Sequence, residues 1–343
     1  MNTTDCLSLR SYLLGSSIAA LAASVVIINV LVGYAIVKSG FLKGLSGSLY
    51  KMSFNLLVAD TLHIAFHVLY LGPSSALQSW LLPVGWRRVP ATVSIFGWKS
   101  IVISLCCLAI NRYIAVCKPN RYNEIFSLKK TNSILVGLWT LALLVTVVGE
   151  ILLPCCPSYL YYKTYSFSQL QDGYAYNYSN TFINIPLNSL ASAFVVVMYG
   201  LVIWNIRINN NKIIDSITAE SVRKRRRKEM WYAVQLSIVT GIFIAFWVTF
   251  QVLSRFLPIQ DTTGGIFSIV IFVGTLHAST NAVVLILLNR DVRGAVRNLV
   301  ACTSLGVVGS DAVVGMGTFG SSGDQMPMAI GAPARNVLIS RMP

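Results

Sequence analysis

The chain is 343 residues long, 55% hydrophobic and only 11% charged, with a formal net charge of +15. Globular soluble domains carry about a quarter charged residues, so the composition argues against a soluble enzyme or a nucleic-acid binder despite the basic balance. At about 20 apolar residues per span, the length accommodates roughly six to eight membrane-spanning helices with short loops. It leaves no room for a separate soluble catalytic domain as well.

Seven apolar runs follow in chain order, at 12–37, 49–71, 91–117, 132–153, 183–206, 230–257 and 265–289. Each is long enough to cross the hydrocarbon core as a helix. The first contains Asn29 and has no small-residue cleavage site after it, so it reads as a span rather than a removable signal peptide. There is no fixed-period repeat, and no pair of glycine- or proline-broken segments of the kind that marks an inverted-repeat transporter.

Basic residues orient the spans. The loops after spans 1, 3 and 5 and the C-terminal segment hold 21 Lys and Arg, including the run Arg223 to Lys228, against 5 on the other side. The N-terminus is therefore expected outside and the C-terminus in the cytoplasm. The sequons at Asn2 and Asn177 both fall on the expected outer side and mark glycosylation candidates. Cys6, Cys155 and Cys156 lie outside too, where disulfides persist, and no CxxC metal or redox pattern occurs.

Span 2 carries NLLVAD, with Asp60 mid-helix, and span 4 carries Trp139. Span 3 ends in Asn111-Arg112-Tyr113 followed by IAVCKPNRY. With Asn29 in span 1, this order of landmarks resembles the rhodopsin-like G-protein-coupled receptors over residues 12–301. Three stretches, NRYIAVCKPNRYNEIFS, MWYAVQLSI and LHASTNAVVLILLN, are most similar to the nematode serpentine chemoreceptors of class x. The resemblance implies an all-α seven-transmembrane bundle, with 1–11 as an extracellular N-terminus and 302–343 as a cytoplasmic tail expected to be disordered.

The chain departs from that pattern in several places. An acid usually precedes the arginine, and here Asn111 stands there and is expected to remove that neighbouring tether. The cysteine expected at the outer end of span 3 is replaced by Arg87. The prolines of spans 6 and 7 are replaced by Thr249 and Ala282, and the following tyrosine by Leu285. The resemblance makes Asn111, Arg112 and Tyr113 the G-protein coupling residues, with Glu229 as an acid that locks Arg112. The alternative is that Glu229 only neutralises Lys228 at a solvated helix start.

Asp60 is costly in a membrane and should face the bundle interior. Ile101 occupies the place of a sodium-site hydroxyl, so a polar network of Asp60, His277 and Asn281, with Asn29, is expected instead, either as a functional relay or as a static packing plug. His63 and His67, four residues apart, are expected to be interior histidines rather than a metal site. Lys99 lies about 20 Å along the helix from Arg112. It is expected either to meet an acidic ligand, beside Trp98 and Ser94, or to pair internally with Glu150. Further ligand-binding candidates are Asn184, Asn188, Trp247, Gln251 and Arg255.

The second outer loop should form a hairpin turning at Asp172-Gly173, with Cys6 bonded to Cys155 or Cys156 as the remaining tether. After span 7, RDVRGAVRNLV suits a short amphipathic helix on the membrane surface, and Cys302 is a palmitoylation candidate. The third inner loop, SVRKRRRKE, reads chiefly as a topogenic charge run facing anionic lipid, and overlaps with a contact for a G protein. No cofactor, metal or nucleic acid is expected, and no nucleophile–base pair or phosphate loop occurs. The partners expected are a heterotrimeric G protein, an unidentified small molecule and membrane lipid. The competing functions are a multi-pass transporter or channel, or a membrane protein that does not signal.

Overall fold

The structure, a computed structural model, describes residues 3–43, 47–169, 177–210, 231, 234, 237–250 and 265–305. For 3–8, 209–210, 265–267 and 302–305 only the backbone is described. Asn2, Asp172-Gly173, the basic run, Glu229, Gln251, Arg255 and residues 306–343 lie outside, as do the side chains of Cys6 and Cys302.

Helices α1 (Thr3–Lys38), α2 (Gly47–Phe66), α3 (Gly72–Leu77), α4 (Val89–Cys117), α5 (Pro119–Ile125), α6 (Leu128–Val147) and α7 (Ile185–Asn210) follow in order. They are followed by α8 (Ser237–Phe250), α9 (Gly265–Leu288) and α10 (Arg290–Leu305). Counting α2 with α3 as one continuous rod, six of these segments are long and apolar enough to cross a membrane, and α8 is a shorter apolar helix. A chain in lipid must satisfy its backbone hydrogen bonds internally, which is why the apolar runs become helices.

Local signals set the ends. Ser127 Oγ accepts from Lys130 N at 3.3 Å and starts α6. Asn289 Oδ1 accepts from Asp291 N at 3.0 Å and Val292 N at 3.3 Å, and starts α10. Proline opens α3, α4 and α5, where its missing N–H costs nothing.

The centre of the bundle is α4, packed against α2, α6 and α7. Its Ile101, Val102, Leu105 and Leu108 meet Met52 and Leu56 of α2, Tyr199 of α7 and Phe243 of α8. Inside this apolar core, Trp139 Nε1 donates to Asn55 Oδ1 at 2.6 Å, and Asn55 Nδ2 donates to Ser104 Oγ at 2.9 Å, tying α6, α2 and α4 together. Helices α6 and α7 turn Leu143, Leu144, Val196 and Val197 outward, as lipid-solvated helices do.

Three helices each contain one π turn, at His67–Leu71, Val148–Leu152 and Ser179–Asn184. All three occur at the same end of the bundle, beside a two-stranded hairpin. Strand β1 (Ser158–Tyr161) pairs antiparallel with β2 (Ser166–Gln169), Leu160 opposite Phe167.

The second outer loop contains a hairpin in which β2 pairs with the segment upstream of it through the turn Tyr162–Tyr165, while the expected turn at Asp172-Gly173 lies outside the described residues. Leu160 decides this, since it is fully buried in a cluster with Tyr70, Leu71 and Ile271. Cys155 and Cys156, neighbours in sequence, are bonded to each other; the side chain of Cys6, the expected partner, lies outside the described residues. The amphipathic helix is also longer than expected. It runs as α10 past Gly294 and Cys302 to Leu305, and buries Val292 against Tyr50 and Leu285.

Candidate functional site

At the hairpin end the bundle encloses a cavity of about 390 Å³. His63 comes from α2 and His67 from the π turn that follows it, Trp98 from α4, and Phe167 and Gln169 from the hairpin. Asn180, Asn184 and Asn188 come from the start of α7 and its π turn, and Phe246 and Trp247 from α8.

The π turns bear on this wall. The one at Ser179–Asn184 starts the helix four residues before the apolar run, which brings Asn180 onto the cavity beside Asn184. Asn180 continues the spacing of Asn184 and Asn188 by one turn, a signal the apolar run alone conceals. A π turn commonly marks a functional segment.

Several lining groups have fixed partners. Ser94 Oγ donates to His63 O at 2.6 Å, and His63 Nδ1 lies 2.9 Å from Ser94 O. With the serine proton committed to a carbonyl, the histidine carries its hydrogen on Nδ1, and Nε2 is left as an acceptor. Phe167 stacks on His63 with centroids 5.9 Å apart and planes 3° apart. Trp98 Nε1 donates to Asn188 Oδ1 at 3.2 Å, and Asn188 Nδ2 donates to Asn184 O at 2.7 Å. By contrast, both ring nitrogens of His67 and Nε1 of Trp247 are buried without a hydrogen-bond partner among the described residues.

Of the ligand candidates, Trp98, Asn184, Asn188 and Trp247 line the cavity. Ser94 stands behind His63 and positions it. Lys99 is fully buried but turns away from the cavity, and its Nζ donates to Val145 O at 3.3 Å beside Gly149 on the α6 side. Glu150, next to that site, accepts from Ser158 N at 3.0 Å and so holds the hairpin.

The hairpin has further attachments. Arg88 Nε donates to Tyr159 Oη at 2.9 Å, and Tyr165 Oη meets Ser11 Oγ at 2.8 Å. Gln78 Nε2 donates to the same phenol at 3.3 Å. Tyr165 itself has φ of 54°, a left-handed conformation that costs about 1–2 kcal/mol, and its two hydroxyl contacts offset that cost. Arg87, at the missing-cysteine position, donates to Leu82 O at 3.2 Å and lies 4.9 Å over the Trp80 ring. Asn177 is half-buried and its Nδ2 donates to Gln169 Oε1.

The expected Asp60–His277–Asn281 network does not form. All these residues are buried, yet no hydrogen bond joins Asp60 to either partner among the described residues. His277 sits in an aromatic layer with Phe246 at 5.8 Å, Phe243 at 5.8 Å and Trp98 at 5.9 Å. Asn281 Nδ2 donates to Ser53 O at 3.3 Å and Asn29 Nδ2 to Ala278 O at 3.1 Å, so these amides stitch helices instead. No group of three or more His, Cys, Asp or Glu suited to a metal occurs among the described residues.

At the opposite end of α4, Asn111 Oδ1 accepts from Arg112 Nη2 at 2.6 Å and Nε at 3.2 Å. Asn111 Nδ2 in turn donates to Tyr122 Oη of α5 at 3.2 Å. Asn111 was expected to remove the neighbouring tether of the arginine. It supplies one, because an amide oxygen accepts as a carboxylate does. Tyr113 packs half-buried against the central core.

Residues 22–289 match the model of the serpentine type 7TM GPCR chemoreceptor Srx family. The chain belongs to that family. The octopamine receptor Oamb of Drosophila melanogaster is 28% identical to this Srx chain over 130 residues, 35% of the chain and only 20% of that receptor's own length. The D(1)-like dopamine receptor of Oreochromis mossambicus is 24% identical over 331 residues, 88% of the chain and 81% of that receptor. Squid rhodopsin superposes with a TM-score of 0.67 at 14% identity over 89% of each chain, a likeness of fold. By family the Srx chain is of the seven-transmembrane G-protein-coupled receptor type, and its fold is rhodopsin-like.

Proposed function

We propose that this Srx chain is a chemosensory receptor of the plasma membrane, with its N-terminus outside, that couples a small molecule in the cavity to a heterotrimeric G protein. The observation that carries the reading is the layout of α4. Trp98 lies in the cavity wall at one end, and Arg112, held by Asn111, lies 14 residues on at the other, about 21 Å away along the helix. A ligand that favours one arrangement of this helix and its neighbours shifts the population of the arginine end. The excess of basic residues on the Arg112 side supports placing that end in the cytoplasm. Membrane lipid surrounds the bundle, and Cys302 on α10 is a palmitoylation candidate there.

Relatives named for octopamine and dopamine suggest an amine ligand. Against that, no carboxylate lies among the described residues that line the cavity.

The test is nucleotide exchange on a co-expressed promiscuous G protein, with a screen of small acids, volatiles and lipids. Activation should occur with a subset and be lost in Arg112→Ala at matched surface expression. Activation that survives this change overturns the coupling role. Flux or current without any G protein would favour a transporter or channel.

A further inference from the structure

The lining gives more than a place for a ligand. No described residue facing the cavity carries a fixed charge, and Lys99, a buried cation next to Trp98 in sequence, is directed behind the wall toward α6. An ammonium or a carboxylate brought into this space would lose its water and gain no opposite charge from the described lining, which is costly. The polar atoms that remain are of a particular kind. His63 offers Nε2 as an acceptor, because Ser94 holds its other nitrogen. Among the described residues Trp247 Nε1 is a donor with no acceptor, and the two ring nitrogens of His67 form a further unmatched donor and acceptor. Buried polar groups are as a rule hydrogen-bonded, so these atoms ask for a partner with both capacities. Flat faces adjoin them, since Phe167 stacks on His63 and Trp98 packs 5.4 Å from the same imidazole. The volume is near the small end of ligand cavities, which run from about 300 to 1,000 Å³.

We infer that the cavity is built for a small uncharged molecule with an apolar, preferably aromatic, body and a hydroxyl or N–H donor that is received by His63 Nε2. An acceptor oxygen on the same molecule meets the indole N–H of Trp247. This deepens the receptor reading and rests on it only for the meaning of binding, not for the chemistry of recognition.

The test uses the full-length receptor purified into nanodiscs, without G protein, so that its outcome is separate from the coupling test. The probes are 2-phenylethanol, 2-phenylethylamine and phenylacetate, which share one body and differ in charge at neutral pH, with ethylbenzene as the apolar control. Binding is read by ligand-observed NMR and by quenching of tryptophan fluorescence. The alcohol should bind at least tenfold more tightly than the ammonium or the carboxylate, and more tightly than ethylbenzene. In His63→Phe, which keeps a ring to stack on Phe167, the preference for the alcohol over ethylbenzene should vanish. Should that variant fail to fold, Trp247→Phe serves instead, and there the preference for 4-hydroxyacetophenone over 4-ethylphenol should fall. Equal or tighter binding of either charged probe, absence of binding by the alcohol, or an unchanged preference in the variant that folds overturns the inference.

Discussion

A methyl group at Gly97 would test how closely α2 and α4 are packed behind the cavity. A Cβ there would lie 2.7 Å from His63 N, 2.9 Å from His63 Cα and 3.1 Å from Ala59 O, all atoms of the α2 backbone. Ordinary contact begins near 3.4 Å, so the helices would have to separate by about 0.7 Å. Small residues permit such close approach in membrane bundles, and backbone cannot rotate away as a side chain can. Overpacking of this kind costs about 1–3 kcal/mol. For a domain of 150–250 residues each kcal/mol lowers the melting point by about 2–4 °C, and by somewhat less in a longer bundle. The assay is thermal unfolding in detergent, followed by a maleimide dye that reacts with Cys106 and Cys107, thiols packed in the core. Gly97→Ala should melt several degrees below the parent. Gly200→Ala, where nothing lies within 4 Å, should melt at or above it, because alanine favours the helix by about 0.5–1 kcal/mol. Equal melting of the two variants would refute the backbone contact and, with it, the positioning of His63.

Other outcomes follow from the same geometry. Asn111→Ala removes the acceptor of two guanidinium contacts, each of a class worth about 1.5–3 kcal/mol, so ligand-independent nucleotide exchange should rise several-fold at matched surface expression. Asn111→Asp keeps the acceptor and should not raise it. Lys99→Met removes the donor to Val145 O behind the cavity wall, so it should lower the melting temperature while leaving ligand potency within about threefold. A large potency change with unaltered melting would place Lys99 in the binding site after all. Asn289→Ala deletes the cap of α10 and should cost about 1 kcal/mol, seen as faster hydrogen exchange at Asp291 and Val292, with Asn289→Ser closer to the parent.

The spans were legible because each run carries its own backbone hydrogen bonds and needs no distant partner. The landmarks Asp60, Arg112 and Trp139 fall on helices for the same reason. Side-chain direction was not legible. Trp98 and Lys99 are neighbours in sequence, yet successive helical residues point about 100° apart, so one meets the cavity and the other α6. His277 and Asn281, a turn apart, were expected to converge on Asp60, but His277 joined the aromatic layer under the cavity. The pairing of β1 with β2 depends on where Leu160 docks beside Leu71 and Ile271, a distant contact that alternation along the chain does not announce. The tether by Asn111 was missed through chemistry rather than geometry, since loss of charge was equated with loss of an acceptor.

The manner in which β1 and β2 are fastened has a mechanical consequence. Among the described residues no covalent bond ties the hairpin to α4. It hangs by separate hydrogen bonds from α1, the end of α3, the loop before α4 and the turn after α6. A lid so moored can peel from one corner while the others hold, admitting a molecule sideways without a hinge. Its compliance is then set by several weak springs in parallel rather than by one rigid pivot.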